Sequence, residues 1–132
     1  MSMKIRTIIS AVAAVLLITA CGNATKEATS VANDFLSSYF ATDYQTAASC
    51  CTEELGEALM EAVQEYYEME ENLQKDVIDI SSQVVTTIKS VEAVSRDSVI
   101  VKYDIDMPEP EPTLHSTLTI INKDGFWRVA EF

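Results

Sequence analysis

The pattern of apolar and polar positions divides this chain into a helical first part and a stranded second part. In the first part, apolar side chains recur at helical spacing, and we predict an amphipathic helix with Thr29 or Ser30 as its N-cap. Asp43 is expected to cap a short second helix. Thr52 is expected to cap a third, whose apolar face extends to Leu73 and whose opposite face is a stripe of glutamates.

From about Val84 the spacing of apolar residues changes from helical to alternating, with β-branched side chains predominating. Turn signals at 95–98, 108–112 and 122–125 separate four strands, which we predict form an antiparallel meander. The inward face of these strands includes Val99, Val101, Tyr103, Leu118, Ile120, Trp127 and Val129. In the first strand, alternation cannot place every apolar residue inward, so a β-bulge is expected near Lys89 and Ser90.

Helices followed by a meander predict an α+β domain. Its N-terminal helices would pack on one face of a curved four-stranded antiparallel sheet.

The start of the chain has the layout of a secretory signal. A short segment carrying Lys4 and Arg6 precedes an uncharged, mostly apolar run from Thr7 to Ala20. A membrane-spanning helix needs roughly 18 or more apolar residues, so this run is too short for a permanent span. We therefore predict an exported protein whose residues 1–20 are removed.

The residues Ile18, Thr19, Ala20 and Cys21 resemble the bacterial lipobox, an aliphatic residue and two small ones before a cysteine. The resemblance implies that Cys21 is joined to a diacylglycerol, becomes the N-terminus and carries fatty acyl chains such as palmitate. Several acyl chains give stable anchoring to the cell membrane or outer membrane. An ordinary secretory signal ending in Ala-Cys is the alternative. The predicted organisation is a signal at 1–20, the lipidated cysteine and a tether at 21–29, and one domain at 30–132.

Charge excludes one class of partner. Removal of residues 1–20 takes two basic residues and no acid, and the remaining 112 residues carry seven basic and 21 acidic groups, a formal charge of −14. Such a surface is repelled by phosphates, so nucleic acid binding is not expected. The length allows a single core.

Three segments together resemble the nuclear-transport-factor-2-like (cystatin-like) superfamily, and within it small bacterial lipoproteins of unknown function. They are "VANDFLSSYFATDYQTAASCC", "SVEAVSRDSVIVKYDI" and the closing hairpin "LTIINKDGFWRV". The resemblance implies a cone in which helices and sheet enclose a pocket. Members include enzymes, ligand binders and interaction domains, so the fold alone does not decide the function.

The predicted interior is almost entirely apolar, and Tyr39, Tyr103 and Trp127 are its candidate pocket contacts. We therefore expect a non-catalytic module that binds a small apolar ligand or an envelope protein, without cofactor, metal or catalytic residues. The default interpretation of Tyr103 is a core tyrosine whose hydroxyl is satisfied at the rim, and a hydrogen bond from it to a ligand is the alternative. A ketosteroid-isomerase-like enzyme using Tyr103 with Glu131 or Asp34 is the alternative, since such sites need a carboxylate inside the cone. A third possibility is a structural role, with the acidic helix facing a basic partner.

The remaining reactive residues favour structural roles. Cys50 and Cys51 are adjacent, a poor geometry for a disulfide, and at least one is expected to be buried. His115, the only histidine, is expected on the solvent face of its strand. Asp104 and Asp106 could offer oxygen ligands to calcium, but a solvated acidic edge explains them equally well.

Overall fold

The computed structural model describes residues 23–132. The predicted signal and Cys21 lie outside the described residues. Within residues 23–132, no helix combines the length and apolar character needed to cross a membrane.

Helix α1 occupies residues 23–40 of the described chain, so the prediction of a tether over 22–29 is wrong for residues 23–29. Ala24 and Ala28 are buried in the core together with Ala32. Alanines four residues apart lie on one face of a helix, where their small side chains allow close packing. The domain therefore includes these residues, and neither Thr29 nor Ser30 is an N-cap.

The next two helices begin where the sequence predicts. In α2, Tyr44–Ser49, the Asp43 carboxylate accepts a hydrogen bond from the Thr46 amide. In α3, Glu53–Ala62, the Thr52 hydroxyl accepts one from the Leu55 amide. Each cap satisfies an amide that has no partner within the first turn of its helix.

The predicted continuous third helix is wrong, because the chain bends twice. Helix α3 is followed by α4, Gln64–Glu68, and α5, Glu71–Ser81. Met69 is extended between α4 and α5, and the Gln74 side chain donates to the Tyr66 carbonyl at 2.9 Å. The Tyr66 and Tyr67 rings pack on Tyr44, a tertiary contact that helical periodicity does not reveal. Only Leu59 of the predicted apolar face is buried.

The sheet is a four-stranded antiparallel meander in the order β1-β2-β3-β4. Its strands are β1 Val85–Ser95, β2 Ser98–Asp106, β3 Leu114–Lys123 and β4 Phe126–Glu131. The bulge between Ile88 and Ser90 confirms the expected irregularity in β1. The fold class is likewise confirmed.

The two ends of the sheet differ. One, the turn end, carries the tight β1–β2 and β3–β4 turns, which a hydrogen bond from the Asn122 amide to the Asp97 carbonyl ties together at 2.8 Å. The other, the loop end, carries the 107–113 connection, the start of β1 and the end of β4.

Helices and sheet share one core and are also joined through the backbone. The fully buried side chains on the sheet are Val99, Val101, Leu118, Ile120 and Val129. Beside β4, the Thr52 amide donates to the Val129 carbonyl and the Val129 amide to the Cys50 carbonyl, both at 2.8 Å. This short parallel pairing covers part of the β4 edge and fixes the start of α3 against the sheet.

The β3–β4 turn places Asp124 at φ 56° and Gly125 at φ 87°. Both values lie in the left-handed region, which two-residue hairpin turns require. We expect Gly125→Ala to lower the free energy of unfolding by about 1 to 2 kcal/mol through backbone strain alone. A Cβ at this position would have no atom within 4 Å, so packing is unaffected.

Chemical denaturation checks this, with Asp124→Asn as the control, because asparagine tolerates the left-handed region. A Gly125→Ala variant as stable as the parent would contradict the turn geometry.

Candidate functional site

Seven of the ten aromatic side chains form one contiguous cluster at the loop end of the sheet. Neighbouring ring centroids are 5.0 to 6.3 Å apart, within the range for favourable edge and offset contacts. We call it the Tyr39 cluster; it consists of Phe35, Tyr39, Phe40, Tyr44, Tyr66, Tyr67 and Phe132.

Tyr39 is the centre of this cluster. Its ring lies 5.1 Å from Phe40 and 5.6 Å from both Tyr44 and Phe132, measured between centroids. Burial raises the pKa of the Tyr39 hydroxyl, and the nearby Tyr103 raises it further. Tyr103 itself is buried on the inner face of β2. The structure therefore brings together two of the three predicted pocket residues, Tyr39 and Tyr103.

Trp127, the third predicted contact, lies at the opposite end of the sheet. It pairs with Asn122 at the end of β3, whereas Tyr103 pairs with Ser116 near its start. Six residues along a strand correspond to about 20 Å. Trp127 is buried in the core, and it does not share a pocket with Tyr103.

Phe132 enters the cluster because of a second irregularity, in β4. Ile120 pairs with Val129 and Thr119 with Glu131, so two steps along β4 oppose one step along β3. The extra residue reverses the inward and outward alternation, which puts Glu131 with Thr119 on the outer face. Phe132 instead packs against Phe35 with centroids 5.0 Å apart. Regular alternation predicted Glu131 inward and overlooked Phe132.

The carboxylates of the enzyme alternative are both exposed. Asp34 lies on the solvent side of α1, and Glu131 follows the β4 bulge. No charged side chain is buried anywhere in residues 23–132. The arrangement supplies no carboxylate beside Tyr103 inside the domain.

A groove of about 460 Å³ lies between α1, α5 and the start of β1. Its apolar walls include Leu36, Phe40, Ile78 and Val84, and serine and threonine hydroxyls supply its polar groups. None of its lining residues is charged, although the domain as a whole is strongly acidic. Phe40 belongs both to this groove and to the Tyr39 cluster. We call it the Phe40 groove; sequence reasoning missed it, because α5 was not predicted as a separate helix.

A second depression, of about 610 Å³, lies on the outer face of the sheet. Here His115 Nδ1 lies 2.6 Å from an Asp104 carboxylate oxygen, across the β2–β3 pairing. The His115 side chain is 78% exposed, as expected from its place on the solvent face. Within the described residues no group of three or more His, Cys, Asp or Glu side chains could hold a metal ion.

Cys50 and Cys51 are free thiols at the pairing with β4. Cys51 is buried, which confirms the expectation that at least one would be, and its Sγ lies 3.3 Å from the Ala47 carbonyl oxygen. Burial, with a contribution from Cys50, raises the pKa of Cys51 to about 12. Burial and then Asp34 raise the pKa of Cys50. Raised thiol pKa values disfavour the reactive thiolate.

The architecture is the nuclear-transport-factor-2-like α+β fold, and its sheet is open. The chain is similar in structure to an NTF-2-like protein of unknown function from Shewanella oneidensis MR-1. The TM-score is 0.58 at 15% sequence identity, covering 80% of this chain and 93% of that one. At this identity the likeness concerns the fold alone. The sequence matches no protein-family model, and no curated protein matches it.

The buried Cys51 thiol makes stability depend on pH. Its pKa is raised from an ordinary value near 9 to about 12. As the pH rises, the Cys51 thiol loses its proton at a lower pH in the unfolded chain than in the folded one. The free energy of unfolding should therefore decrease as the pH rises from about 9 to about 12. The slope should be at most about 1.4 kcal/mol per pH unit.

Urea denaturation in reducing buffer from pH 8 to pH 11 measures this slope, with Cys51→Ala as the matched variant. The Cys51→Ala protein should show a shallower decline. Identical pH dependence in both proteins would show that the folded thiol ionises normally.

Proposed function

We propose that this protein is an envelope lipoprotein whose domain binds a small neutral ligand, without catalysis, in the Phe40 groove. The observation that carries the ligand proposal is the groove itself. Its volume of about 460 Å³ falls within the range typical of small-molecule sites. Such sites combine apolar walls with a few polar groups, as this one does.

The lining defines the chemistry of the ligand. Apolar walls favour a body of hydrocarbon or aromatic rings, and an uncharged lining favours a neutral molecule. The Ser82 hydroxyl already donates to the Asp79 carbonyl, so it can still accept a hydrogen bond from a ligand. The ligand is therefore expected to be a neutral, largely apolar molecule with one or two hydrogen-bonding groups.

The exposed positions of Asp34 and Glu131 support a binding module over an isomerase or hydrolase. General acid-base chemistry of that type needs a carboxyl group whose pKa is raised inside a closed cavity. A carboxylate in contact with water lacks that environment.

The neutral fluorescent probe N-phenyl-1-naphthylamine tests the groove, using protein that begins after Cys21. We expect Ile78→Ala to weaken probe binding by about 5- to 15-fold. The substitution removes three carbon groups, and one or two of them packed on the probe would contribute about 0.8 kcal/mol each. Ile78 is 43% exposed at the groove wall.

Ile80→Ala is the matched control, since Ile80 lies on the same helix, is 61% exposed and does not line the groove. Equal affinity of the two variants, or no probe binding by the parent, would reject the groove as a ligand site.

Anchoring through Cys21 is the second part of the proposal, and it rests on the lipobox resemblance. The intact mass of protein from bacterial membranes should correspond to a chain that begins at Cys21 and carries diacylglycerol. Cells treated with globomycin, which blocks lipoprotein signal cleavage, should retain residues 1–20. A mature chain without added lipid would refute the anchor.

A second candidate function, docking of a cationic protein, is favoured by one observation. Residues 27–74 contain eleven acidic side chains and no lysine or arginine. This stretch covers most of α1 and all of α2, α3 and α4. Capture of a basic envelope protein that weakens steeply with salt would support this function.

A further inference from the structure

Helix α1 fixes the direction from which the anchored chain enters the domain, if Cys21 is acylated as proposed above. Asn23 is already helical, and Ala24 is buried in the core. The two residues from Cys21 to Asn23 span at most about 7 Å. The membrane surface must therefore lie close to the start of α1.

The start of α1 lies toward the turn end of the sheet. Its C-terminal half is at the loop end, where Phe35 packs on Phe132 and Leu36 shares a groove with Thr86. Ala24 and Ala28 stay in the same core as the sheet, so the helix continues over the sheet in the other direction. Fifteen residues separate Ala24 from Tyr39, which is about 22 Å of helix.

The two ends of the sheet carry different surfaces. The charged residues at the two tight turns are Arg96, Asp97, Lys123 and Asp124, and their charges balance. The loop end carries Asp104, Asp106, Glu109 and Glu111 and no lysine or arginine from 103 to 114. The acidic loop end thus lies away from the start of α1.

Two large apolar side chains are exposed beside the turns. Phe126 is 63% exposed at the start of β4, and Val94 is 54% exposed near the end of β1. The Arg128 guanidinium lies 5.5 Å from the centroid of the Phe126 ring. Aromatic and basic side chains together suit the interface between lipid head groups and acyl chains.

We propose that the turn-end surface, consisting of Val94, Arg96, Lys123 and Phe126, rests on the lipid bilayer that holds the acylated Cys21. The anchor brings this surface to the bilayer. Arg96 and Lys123 offset the charges of the neighbouring Asp97 and Asp124, which avoids the repulsion that the rest of the domain would meet at anionic lipids. The Phe40 groove and the acidic loop end then face away from the membrane.

Tryptophan reporters in proteoliposomes test this orientation with the full lipidated protein. Phe126→Trp and Leu114→Trp are each made in a Trp127→Phe background, so that each protein has one tryptophan. Leu114, 46% exposed at the loop end of β3, is the matched control. Lipids brominated near the head group should quench the Phe126→Trp reporter at least twofold more than the Leu114→Trp reporter.

Equal quenching, or stronger quenching of the Leu114→Trp reporter, would overturn the orientation. The intact mass of the same samples separates this failure from failure of the anchor. If the protein is acylated and the quenching is equal, only the proposed orientation is rejected. If the protein is not acylated, both the anchor and the orientation are rejected. If Trp127→Phe unfolds the domain, amide hydrogen exchange of the unsubstituted lipidated protein replaces the reporters. Protection on reconstitution should then increase at 94–98 and 122–126 and stay unchanged at 107–113.

Discussion

The packing of α1 on the inner face of the sheet is the contact on which the rest of the structure depends. Ala28 and Ala32 lie against a core that also holds Phe35 and Leu36, and the facing strands contribute only apolar side chains. Burial of this surface favours the folded state, since the removal of apolar surface from water is the main driving force of folding. The C-terminal half of α1 also places Tyr39 at the loop end, beside Phe132.

Local irregularities in the backbone decide what reaches the functional surface. The β1 bulge keeps Ile88, Val91 and Ala93 directed toward the core despite their spacing, and the β4 bulge moves Glu131 outward and Phe132 inward. The bends between α3, α4 and α5 bring Ile78 near Phe40, forming the uncharged groove. Each change is small in the backbone, yet the β4 bulge puts the aromatic Phe132 in place of the acidic Glu131 beside Phe35.

The surface divides into regions suited to different contacts. An uncharged groove suits a neutral small molecule, a helical acidic face suits a cationic partner, and the turn end combines apolar and basic side chains. These regions consist of different side chains on one domain, so contacts at one region do not compete for the residues of another. The chain shares its fold, at 15% identity, with a protein of unknown function. Because a fold does not determine function, the function depends on the side chains of these surfaces.

The sequence by itself determined the α+β class, the caps at Asp43 and Thr52, the three strand connections and the β1 bulge. These features depend on capping side chains, turn residues and the alternation of apolar positions, all of which act over a few neighbouring residues. It also placed Tyr103 in the interior. Only the tertiary structure decided that residues 23–29 join the core, that the third helix divides and that Trp127 lies far from Tyr103. These outcomes depend on contacts between residues distant in the chain, such as Tyr44 with Tyr66, which no local pattern encodes.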